Sequence, residues 1–173
     1  MRILVTWAIM SLAILQCNVA LAKQPKVDNQ LLCLAKNIYY EAGLETRDGM
    51  IAVAQVTINR AGTGNFPGTV CGVVNQKTQV VVQQQDRPVT KTICQFSWVC
   101  SPPAGVRYVS DRWNESLAVA TEVMYNGLRL DNDVMAQALY FHNTSVNPGW
   151  RLLKIARIGN HVFYTDRQVL TNR

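Results

Sequence analysis

The segment that most limits how this chain can fold is "IAVAQVTIN", residues 51–59. Its apolar side chains lie on nearly every side, so it has neither a polar helix face nor the two-residue alternation of a half-buried strand. The rest of the fold must therefore surround it. Its length and its alanines favour a helix over residues 50–59, with a buried strand as the alternative. We predict a central buried helix that is capped by Thr46 or Asp48.

An amphipathic helix is predicted just before this segment, beginning at an Asp28 cap and ending at Gly43. One helical face carries the apolar residues Leu31, Leu34, Ala35, Ile38 and Ala42. Glu41 follows Ile38 by three residues, which places its carboxyl on the same face. Partial burial and the negative end of the helix dipole would both raise the pKa of this carboxyl, as a general acid requires. The alternative is a helix-end carboxylate bonded to the backbone or to an arginine.

The second carboxylate in this region, Glu45, lies beyond the predicted helix end. Its simplest interpretation is a loop residue that pairs with Arg47.

Shorter elements complete the pattern and indicate an α+β fold with a helical core and a small antiparallel sheet or hairpin. A short helix is predicted over residues 70–76, followed by extended chain over 77–98 with a turn near Asp86-Arg87-Pro88. The next predicted helix is capped by Ser110 or Asp111 and closed by Gly127, and its apolar stripe comprises Trp113, Leu117, Ala120 and Met124. A strand in "QALYFHN" and a hairpin in "RIGNHVFY" around Gly159-Asn160 complete the prediction.

The N-terminus predicts export. A short positive segment at Met1-Arg2 precedes an apolar run over residues 3–15 and an Ala-Leu-Ala site at residues 20–22. We therefore expect a signal peptide over residues 1–22, a linker over 23–27 and a catalytic domain over 28–173. The alternative is that the N-terminal segment stays uncleaved as an anchor, and we expect contact with the membrane only in that case. The protein would be periplasmic or secreted.

The cysteines agree with an oxidising compartment. Outside the signal segment the chain carries four of them, an even number: Cys33, Cys71, Cys94 and Cys100. In an exported protein they predict two disulfides, with three possible connectivities. A zinc site is the alternative, but the spacing of these cysteines and of the two histidines is poor for it.

Composition narrows the function further. The net charge is +6, and the basic residues are scattered, so we expect an anionic polymer as partner and no nucleic acid. The sequence contains no nucleophile elbow, zinc-protease helix or phosphate-binding glycine loop. We assign no role to His142 or His161, and we expect neither a metal nor a cofactor.

Several segments, in order, resemble one family: the cell-wall hydrolases typified by the spore cortex-lytic enzymes of the SleB and CwlJ type. The matching segments are "CLAKNIYYEAGLETRDGMIAVAQVTINR" (33–60), "FPGTVCGVVNQ" (66–76), "CQFSWVC" (94–100), "ALYFHNTSVNPGW" (138–150) and "IGNHVFY" (158–164). The resemblance covers nearly all of residues 28–167.

This resemblance implies a fold like that of the lysozyme-like lytic transglycosylases, and action on the glycan strands of peptidoglycan. The family's acid falls on Glu41 and its second acidic position on Glu45. The residues implied to line the cleft are Gln95, Phe96 and Ser97, with Tyr140 opposite, and Tyr40 is a further candidate for substrate contact.

The expected reaction is cleavage between N-acetylmuramic acid and N-acetylglucosamine, with Glu41 as acid and then base, leaving a 1,6-anhydro end. Were water the acceptor, Glu45 would be the candidate second base. Two alternatives stay open: an N-acetylmuramoyl-L-alanine amidase and a non-catalytic exported module that binds glycan. We expect the protein to act as a monomer.

Overall fold

The computed structural model describes residues 28–103, 109–130 and 133–166. The predicted signal peptide and linker lie outside these residues. The helices are α1 (Asn29–Ala42), α2 (Arg47–Ala61), α3 (Val70–Val74), α4 (Ser97–Cys100) and α5 (Ser110–Tyr125), with a 3-10 turn at Met135–Gln137. The strands are β1 (Lys77–Gln84), β2 (Arg87–Cys94), β3 (Tyr140–Asn143), β4 (Leu153–Ile158) and β5 (His161–Thr165). Among the described residues, no helix is both long and apolar enough to span a membrane.

The central buried helix is confirmed as α2. Its side chains are buried without a break from Met50 to Thr57, and Arg60 is buried at its C-terminal end. Thr46 caps the helix, because its hydroxyl accepts a hydrogen bond from the amide of Gly49 at 3.4 Å. The rest of the core is therefore assembled around α2.

Helix α1 packs on α2 as its periodicity predicts. The Asp28 side chain caps it by accepting from the amide of Gln30 at 2.8 Å. Where the two helices touch, the Asn37 amide donates to the Thr57 hydroxyl at 3.0 Å. A buried polar contact of this kind fixes how one helix sits on the other. The buried face of α1 comprises Leu34, Ala35, Asn37, Ile38 and Ala42.

Both predicted disulfides form, which settles the connectivity. Cys33 bonds to Cys71 and so ties α1 to α3, whereas Cys94 bonds to Cys100 and closes a short loop around α4. The first bond spans 38 residues and constrains the unfolded chain more than the second, which spans 6.

Helix α5 differs from its prediction at its N-terminus. Neither Ser110 nor Asp111 is the cap, because Val109 occupies that position and Ser110 is already helical. The face of α5 that packs on the core is wider than the predicted apolar stripe, and its most buried residues are not the predicted ones apart from Ala120. The buried side chains are Ser116, Val119, Ala120 and Val123, while the predicted stripe residues Trp113, Leu117 and Met124 are only partly buried against the core.

Arg47 joins α2 to α5. Its guanidinium bonds Glu115 at 2.5 Å and Glu122 at 2.6 Å. The predicted pairing of Arg47 with Glu45 is therefore wrong. Two acids two turns apart on the same side of α5 offer a better match to the two guanidinium edges.

The strands form two separate antiparallel sheets. β1 and β2 form a largely exposed hairpin, and its turn lies at Gln85-Asp86, where both residues have positive φ, one residue before the predicted Asp86-Arg87-Pro88. Pro88 instead pairs with Gln83 in the ladder. The second sheet has the order β3-β5-β4 and contains the predicted hairpin around Gly159-Asn160. The expected α+β architecture is confirmed.

The tip of that second hairpin is bonded to the connection between α1 and α2. Both carboxylate oxygens of Glu45 accept hydrogen bonds from Asn160, one from its backbone amide at 3.0 Å and one from its side chain at 3.1 Å. Gly159 has a φ of +55°, and a Cβ atom there would overlap the Oε2 atom of Glu45. A side chain at position 159 would therefore force the Glu45 carboxylate to shift away from Asn160.

Replacing Gly159 by alanine tests this contact. We expect the free energy of unfolding to fall by about 1–2 kcal/mol for the left-handed backbone and by about 0.5–1.5 kcal/mol more for the displaced Glu45 bonds, which are exposed. Gly127→Ala is the matched control, since Gly127 has a φ of +70° but no atom within 4 Å of its Cβ position. Equal losses in urea unfolding of the two variants would show that the Glu45 contact contributes nothing.

Candidate active site

Glu41 is the penultimate residue of α1, and its side chain lines two cavities. The larger, of about 670 Å³, is also bordered by Tyr39, Tyr40, Glu45 and Arg112. The carboxyl is therefore reachable from a cleft, although most of its helix face is buried. The smaller cavity, of about 250 Å³, is bordered by residues of α2, the β2–α4 connection and β3, namely Arg60, Cys94, Gln95, Phe96, Ser97 and Phe141.

The surroundings of Glu41 favour its protonated form. Burial raises the pKa of this carboxyl from 4.5 to about 7, and the positive charge of Arg60 partly opposes the rise. The direction agrees with the prediction from the helix pattern. At neutral pH the group is divided between acid and carboxylate, the state that suits proton donation followed by proton removal.

Arg60 is the buried cation of the site. Its Nε atom donates to the carbonyl of Leu139 at 2.6 Å, and its Nη1 atom is buried without a hydrogen-bond partner among the described residues. Burial lowers the pKa of the guanidinium to about 10, which leaves it charged at neutral pH. Three aromatic rings surround it, with centroids 5.1–5.7 Å from Cζ: those of Phe66, Phe96 and Tyr140.

The sequence contained a signal for Arg60 that our site prediction did not use. Arg60 follows Val56 by four residues and Thr57 by three, so the buried helix pattern places it on an inward face. A cation on such a face needs partners, because an isolated buried charge is costly. The spacing therefore pointed to a polar site at this end of α2.

The three adjacent residues Gln95, Phe96 and Ser97 lie next to Glu41, and the Cys94–Cys100 disulfide closes the loop that holds them. Gln95 and Ser97 are exposed and present an amide and a hydroxyl to the smaller cavity. Phe96 is only 4% exposed and packs on Arg60 and Phe141. Because it is buried against Arg60, Phe96 is placed to support the guanidinium more than to contact a ligand.

Tyr40 lies beside Glu41 in the larger cavity. Its ring stacks on that of Trp98, with centroids 4.5 Å apart and planes 23° apart. Tyr39 and Arg112 form another edge of the same cavity, with the Arg112 Cζ atom 5.7 Å from the Tyr39 ring centroid. Our site prediction omitted Arg112, because a partly exposed arginine in the first turns of a helix has no distinguishing pattern.

Tyr140 is not among the residues that line these two cavities. Its ring packs against Phe66 and Trp150, and the guanidinium of Arg60 lies over it. The structure thus brings four of the five predicted substrate contacts to the walls around Glu41, and places Tyr140 beyond Arg60.

Glu45 also lines the larger cavity, but its oxygens are engaged by Asn160. Its role as a second catalytic carboxylate stays a prediction. Asn160 was in the predicted hairpin turn, yet no local pattern linked it to a residue 115 positions earlier.

The two histidines lie in the β3-β5-β4 sheet. His142 is bonded to Tyr164 through Nε2 at 2.8 Å, and His161 is buried against Phe141. Burial lowers the pKa of His161. Across residues 28–103, 109–130 and 133–166, no three His, Cys, Asp or Glu side chains cluster as metal ligands.

Comparisons with known proteins come from sequence and from structure. The chain is 29% identical over 139 residues to a spore cortex-lytic enzyme of Bacillus subtilis (strain 168). The alignment covers 79% of this chain and 37% of that relative, so the chain spans little more than a third of the relative's length.

Two solved structures share its fold. One is the catalytic domain of the germination-specific lytic transglycosylase SleB from Bacillus anthracis, with a TM-score of 0.54, 23% identity, and coverage of 83% of this chain and all of that one. The other is the catalytic domain of Bacillus cereus SleB, with a TM-score of 0.52, 23% identity, and coverage of 82% and 94%. The chain therefore has the fold of the SleB catalytic domains.

The sequence profile of the Cell Wall Hydrolase family matches residues 44–164, which is well over half of the chain. The match begins just after Glu41 and includes Glu45, Arg60, both sheets and the disulfide-closed loop. The resemblance predicted from the motifs is confirmed, and the chain belongs to the Cell Wall Hydrolase family.

Proposed function

We propose that this protein is an exported lytic transglycosylase that cleaves the glycan strands of peptidoglycan. The observation that carries the proposal is the carboxyl of Glu41, which lies in a cleft with its pKa raised to about 7. Membership of the Cell Wall Hydrolase family and the fold shared with SleB catalytic domains support the same substrate class.

In the proposed reaction one carboxyl acts twice. Protonated Glu41 donates its proton to the glycosidic oxygen between N-acetylmuramic acid and N-acetylglucosamine, and the bond from that oxygen to C1 breaks. Positive charge develops at C1 of the muramic sugar. Glu41, now a carboxylate, takes the proton of that sugar's C6 hydroxyl, whose oxygen bonds to C1. The product carries a 1,6-anhydro end, and no water is consumed.

Arg60 stabilises the carboxylate form of Glu41 and so balances the effect of burial. Its charge stabilises the carboxylate that forms after proton donation, while burial by the surrounding side chains favours the acid. Among the described residues, its Nη1 group has no competing hydrogen bond. Arg60 is therefore a positioning and charge-balancing residue rather than the proton donor.

The bonds of Glu45 favour a supporting role for this second acid. Since both of its oxygens accept from Asn160, it holds the β4–β5 hairpin beside the cleft. A water-activating base would have to direct an oxygen at a water beside the sugar, whereas both Glu45 oxygens are oriented by Asn160. This arrangement favours the transglycosylase reaction, in which a second base is not required.

Export follows from the predicted signal peptide and agrees with the disulfides. Such bonds persist in oxidising compartments outside the cytosol, which is also where peptidoglycan lies. The net charge of +6 suits an anionic polymer.

Fragment analysis tests the proposed reaction. Purified protein and its Glu41→Gln variant are incubated with peptidoglycan, and the products are identified by mass spectrometry. We expect 1,6-anhydro-muramic ends from the wild type, and a loss of activity of about a thousandfold or more in the variant, because glutamine cannot donate the proton. The control is Asp48→Asn, which also converts an acid to its amide but lies at an exposed position on α2, and it should leave activity unchanged.

Other fragments would point elsewhere. Reducing muramic ends would indicate hydrolysis and restore Glu45 as a candidate base. Free stem peptides with intact glycan strands would contradict cleavage of the glycosidic bond and favour an amidase. Polymer binding without any fragment would indicate a non-catalytic module.

The pH profile tests the balance between burial and Arg60. Because protonated Glu41 is the active form, kcat/KM should fall as the pH rises through about 7. Replacing Arg60 by methionine removes the charge that lowers this pKa, so the alkaline limb should move upward by about one pH unit. Arg60→Lys keeps the charge and should leave the limb near its wild-type position. A limb that does not move in Arg60→Met would contradict electrostatic coupling between Arg60 and Glu41.

A further inference from the structure

The β3-β5-β4 sheet has two faces with different surroundings. Side chains alternate along a strand, so Phe141 lies on one face of β3, and Tyr140 and His142 lie on the other. Phe141 packs on Phe163 and Phe96 and lines the smaller cavity with Glu41. The Tyr140 side of the sheet is thus distinct from the side that forms the wall around Glu41.

The second side carries four aromatic rings in mutual contact, which we call the aromatic face: Tyr140, His142, Trp150 and Tyr164. His142 stacks on Tyr164 with centroids 5.3 Å apart. The Trp150 ring stands nearly perpendicular to both, at 5.5 Å and 5.6 Å, and it lies 6.2 Å from that of Tyr140. These contacts hold the rings in one fixed arrangement.

The loop between β3 and β4 holds Trp150 at the surface. Its backbone is braced by two side-chain caps: Asn143 accepts from the amide of Ser145 at 2.9 Å, and Asn147 accepts from that of Gly149 at 3.2 Å. Even so, Trp150 is 42% exposed. Trp150 therefore presents part of a large aromatic ring to solvent, and it does so as part of a cluster of rings rather than alone.

The segment that carries the aromatic face is mainly basic. Between residues 140 and 166 the sequence contains three lysines or arginines and one acidic residue, Asp166. Lys154 is the Cα partner of Tyr164 in the β4–β5 ladder, so its side chain lies on the same face of the sheet. Arg151 follows Trp150 directly and is exposed. The remaining base, Arg157, lies further along β4.

We propose that the aromatic face is a second glycan-binding site, separate from the cleft at Glu41, where a strand of anionic peptidoglycan lies against Trp150 beside Lys154 and Arg151. A sugar ring presents an apolar face of C–H groups and a rim of hydroxyls, which matches the exposed ring of Trp150 beside three half-buried rings that carry polar groups. The nearby cations complement the carboxylates of the muramic side chains and stem peptides.

This site rests on the proposed substrate class, and it adds a means of holding an insoluble polymer. A strand bound on the aromatic face stays near the cleft after each cleavage, which raises its effective concentration at Glu41. The site should therefore matter for long, insoluble strands and not for short, soluble fragments that fill the cleft alone.

Binding without cleavage isolates this site. Full-length protein carrying Glu41→Gln is mixed with insoluble peptidoglycan, and the bound fraction is measured by sedimentation over a range of protein and salt concentrations. We expect Trp150→Ala to weaken binding about tenfold. Lys154→Gln with Arg151→Gln, at exposed positions, should weaken it severalfold and reduce its salt dependence.

Two substitutions on the exposed β1–β2 hairpin serve as matched controls. Val81→Ala removes an apolar side chain that is itself 68% exposed, and Lys91→Ala removes an exposed charge. Neither residue lies on the β3-β5-β4 sheet, so both variants should bind the polymer as the Glu41→Gln parent does.

Activity provides the second measurement. In an otherwise wild-type chain, Trp150→Ala should slow digestion of insoluble peptidoglycan and leave kcat/KM for short soluble fragments unchanged. Unaltered polymer binding in both the tryptophan and the charge variants would overturn the proposal. So would tighter binding to anionic lipid vesicles than to peptidoglycan, or loss of a dimer in Trp150→Ala, since each assigns the face to another partner. Because binding is measured without catalysis, failure here is distinct from failure of the proposed reaction.

Discussion

The opposition between burial of the Glu41 carboxyl and the charge of Arg60 is the interaction on which this site depends. Burial raises the pKa of Glu41, and Arg60 keeps it near neutrality. The site depends on the packing of two helices, because α1 carries the acid Glu41 and the buried helix α2 carries the cation Arg60. The contact between Asn37 and Thr57 fixes how these helices pack and thereby how the two charges are disposed.

The other elements act as walls around this pair. The Cys94–Cys100 disulfide holds Gln95 and Ser97 at the smaller cavity. Beside the larger cavity, the bonds that Glu45 accepts from Asn160 hold the β4–β5 hairpin. The same sheet presents one face to the site, and its other face carries the half-buried rings that pack against the exposed Trp150.

Sequence patterns predicted the parts of the fold that depend on local periodicity. The apolar run of α2 and the face that carries Glu41 were predicted because burial there repeats with the helix. The predicted cap of α5 was wrong, because a tertiary contact fixes where that helix starts. The Val109 amide donates a hydrogen bond to the Tyr39 hydroxyl at 3.1 Å. The pairing of Glu45 with Asn160 joins residues far apart in sequence, as does the aromatic cage of the buried arginine, and local spacing encodes neither.

Carbon-13 NMR titration of glutamate side-chain carboxyls measures the ionisation of Glu41 most directly, with the Glu41→Gln variant assigning the resonance. We expect a titration midpoint of about 7 for Glu41. A midpoint near the ordinary value of 4.5 would contradict it, because the carboxyl would then be ionised at neutral pH and unable to donate a proton.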